Sequence, residues 1–214
     1  MAKGAGQRGS GRCGSLRRRQ QHESDPFVRR ARAEGWRSRA ALKLEAIDAR
    51  DRLFMPGAVV VDLGAAPGGW SQLAVRRVTP GGVVIAIDRL AMEPLPGVEM
   101  ICDDFAEPSG LQAVEAALEG RSVDVVLSDM APNLTGHTAV DQPAVMALAE
   151  LAADFAHAWL SHRGTFLVKA FQGEDFDAFR GQLQQTFRRV LIRKPDASRA
   201  ASREVYLLAR EPVL

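Results

Sequence analysis

An uninterrupted apolar run over residues 59–61 leads into Asp62-Leu63-Gly64 and a stretch of small residues that ends at Trp70. Apolar runs without polar alternation are typical of a parallel strand that is covered on both faces. The small residues let the backbone approach a ligand closely, and we expect Pro67 to open the following helix. A second apolar run ends in Asp88, about 20 residues further on, where nucleoside-binding α/β units bind a ribose. The pattern predicts a nucleoside-binding turn.

The residues of this turn discriminate between nucleoside cofactors. A dinucleotide-binding fingerprint contains three glycines, and its three positions correspond here to Gly64, Ala66 and Gly69. The second position therefore carries a methyl group. That position normally lets a diphosphate lie against backbone donors, and Pro67 removes one more donor. S-adenosylmethionine, which has no phosphate, fits this turn better than NAD. A purely structural turn is the third interpretation, and the position of Asp88 argues against it.

Strands and helices alternate along the chain. Ser38 is a candidate cap for a helix over residues 39–52, and Arg163-Gly164 is expected to end the longest helix. Periodicity and turn residues predict further helices over residues 68–78, 109–119, 142–161 and 175–187, and strands over 59–63, 83–88, 98–102, 123–129, 165–171, 189–194 and 203–209. This order predicts one α/β domain over residues 25–214, with a doubly wound, mostly parallel sheet.

Charged residues stand where the predicted strands end. Ligands of doubly wound sheets bind beyond the carboxyl ends of the strands, so one cleft is expected to contain Asp62, Asp88, Asp104, Asp129 and Lys169. We expect Asp104, the second of two consecutive aspartates, to meet the adenine amino group. A lysine within an apolar strand is costly to bury without a partner. Lys169 is therefore either a functional residue or a lysine at a sheet edge.

Basic residues are concentrated at the start of the chain. Residues 1–43 contain 12 Lys/Arg and three acidic residues, a balance of +9 that leaves −7 for the remainder of a chain whose net charge is +2. Residues 1–24 are rich in Gly, Ser and Arg and are expected to be a disordered arm. Such an asymmetry favours a polyanion, here RNA, over a merely solvated tail. A mitochondrial presequence would show an amphipathic apolar face, which this stretch lacks.

The composition of the chain indicates which cellular compartment and which cofactors to expect. No apolar run approaches the roughly 18 residues of a membrane span, and no signal peptide is visible. Cys13 and Cys102 are too few for a disulfide framework, so we expect a reducing, cytoplasmic location. The four histidines show no ligand spacing, and no metal is predicted.

Five sequence segments, in a fixed order along the chain, resemble the conserved blocks of a known protein family. They contain Arg37-Ser38-Arg39-Ala40 with Lys43, Asp62-Leu63-Gly64-Ala65-Ala66-Pro67-Gly68-Gly69-Trp70, Ser128-Asp129-Met130-Ala131-Pro132-Asn133, Val168-Lys169-Ala170-Phe171, and the segment from Arg193 to Tyr206 with Glu204. The chain resembles the FtsJ family, bacterial ribosomal RNA large-subunit methyltransferases that act on a ribose 2′-oxygen. The resemblance covers most of residues 25–210. The longer Gly-rich arm, Ala170 and Ala201 depart from the family pattern.

The resemblance implies roles for particular residues. It implies a class I, Rossmann-like, S-adenosylmethionine-dependent methyltransferase fold with a seven-stranded sheet whose last strand is antiparallel. It assigns catalysis to Lys43, Asp129, Lys169 and Glu204, and it assigns cofactor contacts to Gly68, Trp70, Asp88, Asp104 and Asp129, beside the turn residue Gly64. It further implies methylation of a uridine of 23S rRNA, on an assembled or nearly assembled 50S subunit. We expect a monomer.

The chemistry leaves two roles open for Lys169. A ribose hydroxyl is a poor nucleophile until a positioned group takes its proton or stabilises its oxygen. A free lysine is charged at neutral pH, so Lys169 is either a general base, if burial and Lys43 disfavour its ammonium form, or a charged group that orients the hydroxyl. Asp129 and Lys43 would position Lys169, and Glu204 would assist through hydrogen bonds.

Three other functions share these features. One is a 2′-O-methyltransferase that acts on transfer RNA or on a messenger cap ribose, and another is a non-catalytic ribosome assembly factor of the same fold. An NAD-dependent reductase is the least favoured. In each RNA hypothesis the basic arm, Arg199 and Arg203 would contact phosphates.

Overall fold

The computed structural model describes residues 25–132, 138–173, 175–198 and 202–213. Side chains are described for all of these except residues 138–141. The predicted basic arm, the end of the loop after Pro132, Arg199 and Ala201 lie outside the described residues.

Six helices and seven strands make up this part of the chain. The helices are α1 (Pro26–Ala33), α2 (Ala40–Asp51), α3 (Gly69–Val78), α4 (Pro108–Leu118), α5 (Thr138–Trp159) and α6 (Phe176–Thr186). The strands are β1 (Val59–Leu63), β2 (Val83–Asp88), β3 (Val98–Cys102), β4 (Val123–Ser128), β5 (Leu160–Phe171), β6 (Phe187–Arg193) and β7 (Glu204–Pro212). No helix among the described residues is long and apolar enough to cross a membrane.

The seven strands form one sheet in the order β3-β2-β1-β4-β5-β7-β6. Strands β1 to β5 pair in parallel, whereas β7 runs antiparallel between β5 and β6. The strand order reverses between β1 and β4, and their carboxyl ends therefore form the edge where such folds bind ligands. The predicted α/β fold, with a seven-stranded, mostly parallel sheet and one antiparallel strand, is confirmed.

Two apolar clusters cover the two faces of the sheet. One contains residues of α4, α5 and α6, such as Val114, Phe155 and Phe179. The other contains residues of α1, α2 and α3, such as Leu44 and Trp70. Burial on both faces explains the apolar strands without alternation. Leu127, Leu167 and Tyr206 belong to the second cluster, so alternation along the strands directs Asp129, Lys169 and Glu204 toward the same face as α2.

Two predictions about helix starts are wrong. Ser38 does not cap α2, because Arg39 occupies the cap position without a side-chain hydrogen bond and the Ser38 hydroxyl is buried without a partner in the described chain. Pro67 does not open α3 either. It precedes Gly68, the cap residue, whose φ of 100° only glycine adopts readily, and it follows a cis peptide bond.

Strand β5 begins earlier than predicted, and α1 was not predicted at all. Arg163-Gly164 does not end a helix but lies inside β5, where the pairing with β4 shifts register after Leu160. No breaking residue separates the apolar end of α5 from the apolar start of β5, so periodicity could not locate the boundary. Helix α1 begins at a cap in which Phe27 N–H donates to Asp25 Oδ1 over 2.9 Å.

Candidate active site

The turn between β1 and α3 needs glycine at two positions. Gly64 has a φ of 76°, and a Cβ there would lie 2.6 Å from Met130 Cγ. Gly68 has a φ of 100°, and a Cβ there would lie 3.0 Å from Arg37 Nη1. Both residues adopt left-handed conformations that other residues adopt only with strain. The turn is consequently tight, and its neighbours Met130 and Arg37 stand directly against it.

Three amide groups of this turn are already occupied within the protein. Gly64 N–H donates to Ile87 O over 2.9 Å, Gly68 N–H donates to Ala65 O over 2.6 Å, and Ala66 N–H donates to Asp88 Oδ2 over 2.9 Å. A diphosphate would need such donors. The turn therefore suits a nucleoside that lacks a diphosphate, as its composition predicted.

Asp88 and Asp104 follow neighbouring strands at the edge of the cleft. The Asp88 carboxylate accepts one hydrogen bond on each oxygen, from Ala66 N–H and Leu90 N–H, and each oxygen keeps a further lone pair for a ribose hydroxyl. Asp104 Oδ1 accepts from Ala106 N–H, and its other oxygen lies 3.7 Å from the guanidinium of Arg89. The two carboxylates are thus arranged along the strand ends where the sequence located them.

The side chain of Trp70 is buried and packs within the protein. The indole is 2% exposed, donates from Nε1 to Ala40 O over 2.9 Å, and has its ring centroid 5.6 Å from that of Tyr206. Trp70 is the second residue of α3, directly after the turn. A role in cofactor binding would therefore belong to its backbone.

Asp62 does not line the cleft, contrary to expectation. Its side chain is fully buried under α3, where Ser71 Oγ donates to Oδ2 over 2.6 Å and Oδ1 has no partner among the described residues. Burial raises the pKa of the Asp62 carboxyl to about 7, although the hydrogen bond from Ser71 opposes this, and the negative charges of Asp129 and Asp88 raise it further.

The four predicted catalytic side chains form two ion pairs. Lys169 Nζ lies 2.9 Å from Asp129 Oδ1 and also donates to Asp129 O over 2.5 Å. Lys43 Nζ lies 2.5 Å from Glu204 Oε1. Lys169 and Lys43 are buried, at 7% and 6% exposure, so Lys169 is not a lysine at a solvated sheet edge and Lys43 is not a solvated helix lysine. The structure brings all four residues together.

Strand register explains why these residues meet. Ser128 pairs with Val168, so Asp129 and Lys169 follow side by side at the ends of β4 and β5. Across the antiparallel pair, Lys169 faces Tyr206 and Phe171 faces Glu204. Lys43 reaches the same place from α2, which packs on this face. Four segments that are distant in sequence thus supply one cluster.

Tyr206 is a member of this cluster that the sequence analysis missed. Lys43 Nζ donates to its hydroxyl oxygen over 3.3 Å, and that oxygen lies 3.3 Å from Glu204 Oε1 and 3.5 Å from Asp129 Oδ1. The hydroxyl therefore links the two ion pairs. Its position two residues after Glu204 in a strand, on the same face, was the available signal. The chain contains one tyrosine.

The surroundings of the cluster favour opposite protonation states for its two acidic groups, the glutamate and the tyrosine. Burial raises the pKa of Glu204, but the charge and hydrogen bond of Lys43, the charge of Lys169 and the hydrogen bond from Ser198 together lower it below its usual value. Burial and the charges of Asp129 and Glu204 raise the pKa of Tyr206 well above its usual value. The tyrosine therefore remains a neutral hydroxyl and the glutamate remains an anion across the physiological range.

Several basic residues of the first 43 serve the fold. Arg39 forms an ion pair with Asp25 at 2.6 Å, and Arg30 donates to Glu34 and Glu45. Arg37 donates to the carbonyl oxygens of Glu93 over 2.7 Å and Pro94 over 2.8 Å. Of the predicted phosphate contacts outside the arm, Arg203 is exposed and Arg199 lies outside the described residues.

The fold and the strand-end site define a class I methyltransferase architecture. The chain belongs to the FtsJ-like methyltransferase family, whose profile matches residues 36–212. The resemblance predicted from the five sequence blocks is thereby confirmed, as is the prediction of a methyltransferase.

Close relatives and a solved structure support this assignment. The chain is 71% identical over 202 residues to a ribosomal RNA large subunit methyltransferase E from Halorhodospira halophila, covering 94% of this chain and 95% of the relative. It is 57% identical to the protein of the same name from Alkalilimnicola ehrlichii, covering 93% and 95%. A crystal structure described as a ribosomal RNA methyltransferase from Plasmodium falciparum superposes with a TM-score of 0.75 at 26% identity, covering 83% of this chain and 98% of that one.

Proposed function

We propose that this protein transfers a methyl group from S-adenosylmethionine to the ribose 2′-hydroxyl of a uridine in 23S rRNA, on the 50S subunit. The observation that carries the proposal is the buried Lys169–Asp129 pair, 2.9 Å apart, at the strand ends beside a nucleoside-type turn. The names of the close relatives support the RNA substrate. We further propose that it acts as a cytoplasmic monomer.

The residues of the cleft fit S-adenosylmethionine. Asp88 would accept the ribose hydroxyls, Asp104 the adenine amino group, and the backbone at Gly64, Gly68 and Trp70 would lie against the nucleoside. When bound, this cofactor supplies a methyl group attached to a positively charged sulfur. A cleft edged by the carboxylates of Asp88, Asp104 and Asp129, with turn amides that are already occupied, suits a cation better than a diphosphate.

Lys169 is the residue that we assign to the proton of the 2′-hydroxyl. A neutral lysine amine has two N–H groups, which match the carbonyl and carboxylate oxygens of Asp129, and a lone pair that remains for the hydroxyl proton. When the ribose oxygen takes the methyl group and the methyl–sulfur bond of the donor breaks, Lys169 Nζ would accept the hydroxyl proton and Asp129 would stabilise the resulting ammonium.

Lys43, Glu204 and Tyr206 position this pair. Glu204 neutralises Lys43 at 2.5 Å, and Ser198 Oγ also donates to the same carboxylate over 3.2 Å. The Tyr206 hydroxyl lies between Glu204 and Asp129. A connected set of paired charges is rigid and avoids an isolated buried charge. The set therefore holds Asp129 and Lys169 in a fixed orientation toward the ribose.

The experiment that tests this function supplies labelled S-adenosylmethionine and compares RNA acceptors. Large-subunit particles from cells that lack the enzyme, transfer RNA and capped messenger RNA are offered in parallel, and the labelled nucleotide is mapped by mass spectrometry. The proposal predicts one 2′-O-methyluridine in 23S rRNA. Label in transfer RNA or in a cap ribose would replace the proposed substrate, and no transfer to any RNA would support a non-catalytic role.

A further inference from the structure

The edge of the sheet opposite the site contains a strongly basic cavity. It has a volume of about 560 Å3 and lies where β5 and β6 begin and β7 ends. Its charged lining consists of Arg163, Arg188, Arg210, Glu211 and His162. We call this group of residues the back cavity. None of them belongs to the methyl-transfer site, which lies at the other end of β5 and β7.

The back cavity is positive within an acidic part of the chain. Three arginines and one glutamate line the cavity, whereas the chain after residue 43 carries a balance of −7. Like charges that converge on one cavity repel one another, and an anion relieves this repulsion. Guanidinium groups also match phosphate oxygens in pairs of parallel hydrogen bonds.

The fold uses only one of these arginines. Arg210 donates to the carbonyl oxygens of Asp51 and Arg52 at the end of α2, which explains its position structurally. Arg163 and Arg188 are exposed, and within the described ranges neither forms an ion pair or a hydrogen bond. No intramolecular contact described here therefore accounts for these two side chains.

We propose that the back cavity binds backbone phosphates of the RNA substrate, as a contact area separate from the methyl-transfer site. This inference rests on the proposed function, because RNA is the polyanion that the proposed reaction brings to the protein. Arginine contacts to phosphate position a nucleic acid without selecting its sequence. The back cavity consequently contributes to affinity and orientation, and the residues around Lys169 perform the reaction.

The distance between the two areas sets a minimum size for the RNA. Glu204 and Arg210 are six residues apart on β7, which corresponds to about 20 Å along a strand. A short stem-loop that fills the methyl-transfer site does not reach the back cavity, whereas a large folded RNA extends around the domain. The back cavity therefore discriminates between substrates by size.

The test replaces both unpartnered arginines, Arg163→Gln and Arg188→Gln, in the full chain. With large-subunit particles as substrate, we expect KM to rise roughly 10- to 30-fold at 0.15 M salt while kcat stays unchanged, because two phosphate contacts are lost. The slope of log KM against log salt should fall by roughly 1.4 to 1.8. A stem-loop oligonucleotide that contains the target uridine should show no change in KM.

The control variant carries Arg76→Gln and Arg121→Gln, two exposed arginines with the same change in net charge. An unchanged particle KM in the test variant, or an equal rise in the control, would overturn the proposal. If KM for particles rises but the binding of protein-free 23S rRNA does not weaken, the back cavity contacts a ribosomal protein instead. This result would also overturn the proposal. If the wild type itself methylates no RNA, the proposed function fails, and direct RNA binding by both variants still decides the back cavity.

Discussion

At the scale of residues, Asp129 and Tyr206 make the site a single unit. Asp129 contacts Lys169 through both its carbonyl and its carboxylate, and the Tyr206 hydroxyl lies within 3.5 Å of that carboxylate. The same hydroxyl accepts from Lys43. The two lysines and the two carboxylates therefore form one connected cluster around a neutral hydroxyl, in which no buried charged group lacks a hydrogen-bonding partner.

The variant Tyr206→Phe removes only this linking hydroxyl. We expect kcat to fall roughly 3- to 10-fold and the free energy of unfolding to fall by about 1 kcal/mol, because the hydrogen bonds of one buried hydroxyl are lost. Affinity for S-adenosylmethionine should not change. Single-turnover methylation and urea unfolding measure both effects. Ser198→Ala, which removes another hydroxyl from Glu204, is the control and should have the smaller effect; equal effects would argue against a linking role.

The buried carboxyl of Asp62 predicts an unusual dependence of stability on pH. Its pKa is raised to about 7 in the folded state, from about 3.9 in the unfolded chain. Between these values the folded state binds the extra proton, so this group makes the protein less stable as pH rises from about 4 to about 7. Asp62→Asn should remove this dependence.

Urea unfolding of wild type and Asp62→Asn at pH 5 and pH 8 measures the difference. We expect the variant to gain stability relative to wild type at pH 8, by a few kcal/mol at most, and to gain little at pH 5. If the free energies of unfolding of wild type and Asp62→Asn differ by the same amount at both pH values, this would contradict the raised pKa.

At the scale of elements, the sequence predicts strands and their ends better than it predicts contacts between distant segments. Apolar runs and the acids that follow them located Asp88, Asp104 and Asp129 at the ends of β2, β3 and β4. The catalytic roles of Lys43 and Glu204 were predicted only from the family resemblance, because no local pattern shows that α2 meets β7. Tyr206 was missed for the same reason, since a tyrosine in an apolar strand is ordinary core packing until its partners are known.

Arg37 illustrates a long-range contact that no local pattern reveals. Its guanidinium donates to Glu93 O and Pro94 O and lies 3.4 Å from Pro67 O, so it ties the segment after β2 to the turn between β1 and α3. This segment follows Asp88, and Arg37 therefore positions the wall of the nucleoside cleft. In the sequence, Arg37 lies in a basic stretch and in the first family block, and neither predicted a role for this residue.

Replacing Arg37 with alanine should weaken binding of the methyl donor. We expect KM for S-adenosylmethionine to rise about 10-fold, which corresponds to about 1.4 kcal/mol, while kcat at saturating cofactor changes little. Arg37→Lys should recover part of the affinity, because an ammonium can still donate to one or two carbonyl groups. Arg32→Ala, an exposed residue of α1, is the control. A change in kcat alone, or in KM for RNA alone, would contradict this positioning role.

At the scale of the whole molecule, charge is divided between a basic start and an acidic remainder. Arg30, Arg37, Arg39 and Lys43 are engaged within the described fold. The basic residues of the first 24 positions are therefore the main candidates for contacts with RNA outside the domain.

Deletion of residues 1–24 should weaken RNA binding without affecting the reaction. We expect KM for large-subunit particles to rise at least 10-fold and to depend less steeply on salt, because six basic residues are removed. The kcat and the affinity for S-adenosylmethionine should remain as in the full chain. A deletion variant whose salt dependence equals that of the full chain would show that the arm makes no phosphate contacts.

The central claim is that Lys169 takes the proton of the ribose hydroxyl, and the pH dependence of single-turnover methylation tests it most directly. We expect the wild-type rate to rise with pH, with a slope near 1 in log units, because a general base accepts a proton only in its unprotonated form. Lys169→Arg, which cannot lose its proton, should bind S-adenosylmethionine normally but lose turnover by a factor of roughly 100 to 10,000. A pH-independent wild-type rate together with near-normal turnover by Lys169→Arg would contradict the account.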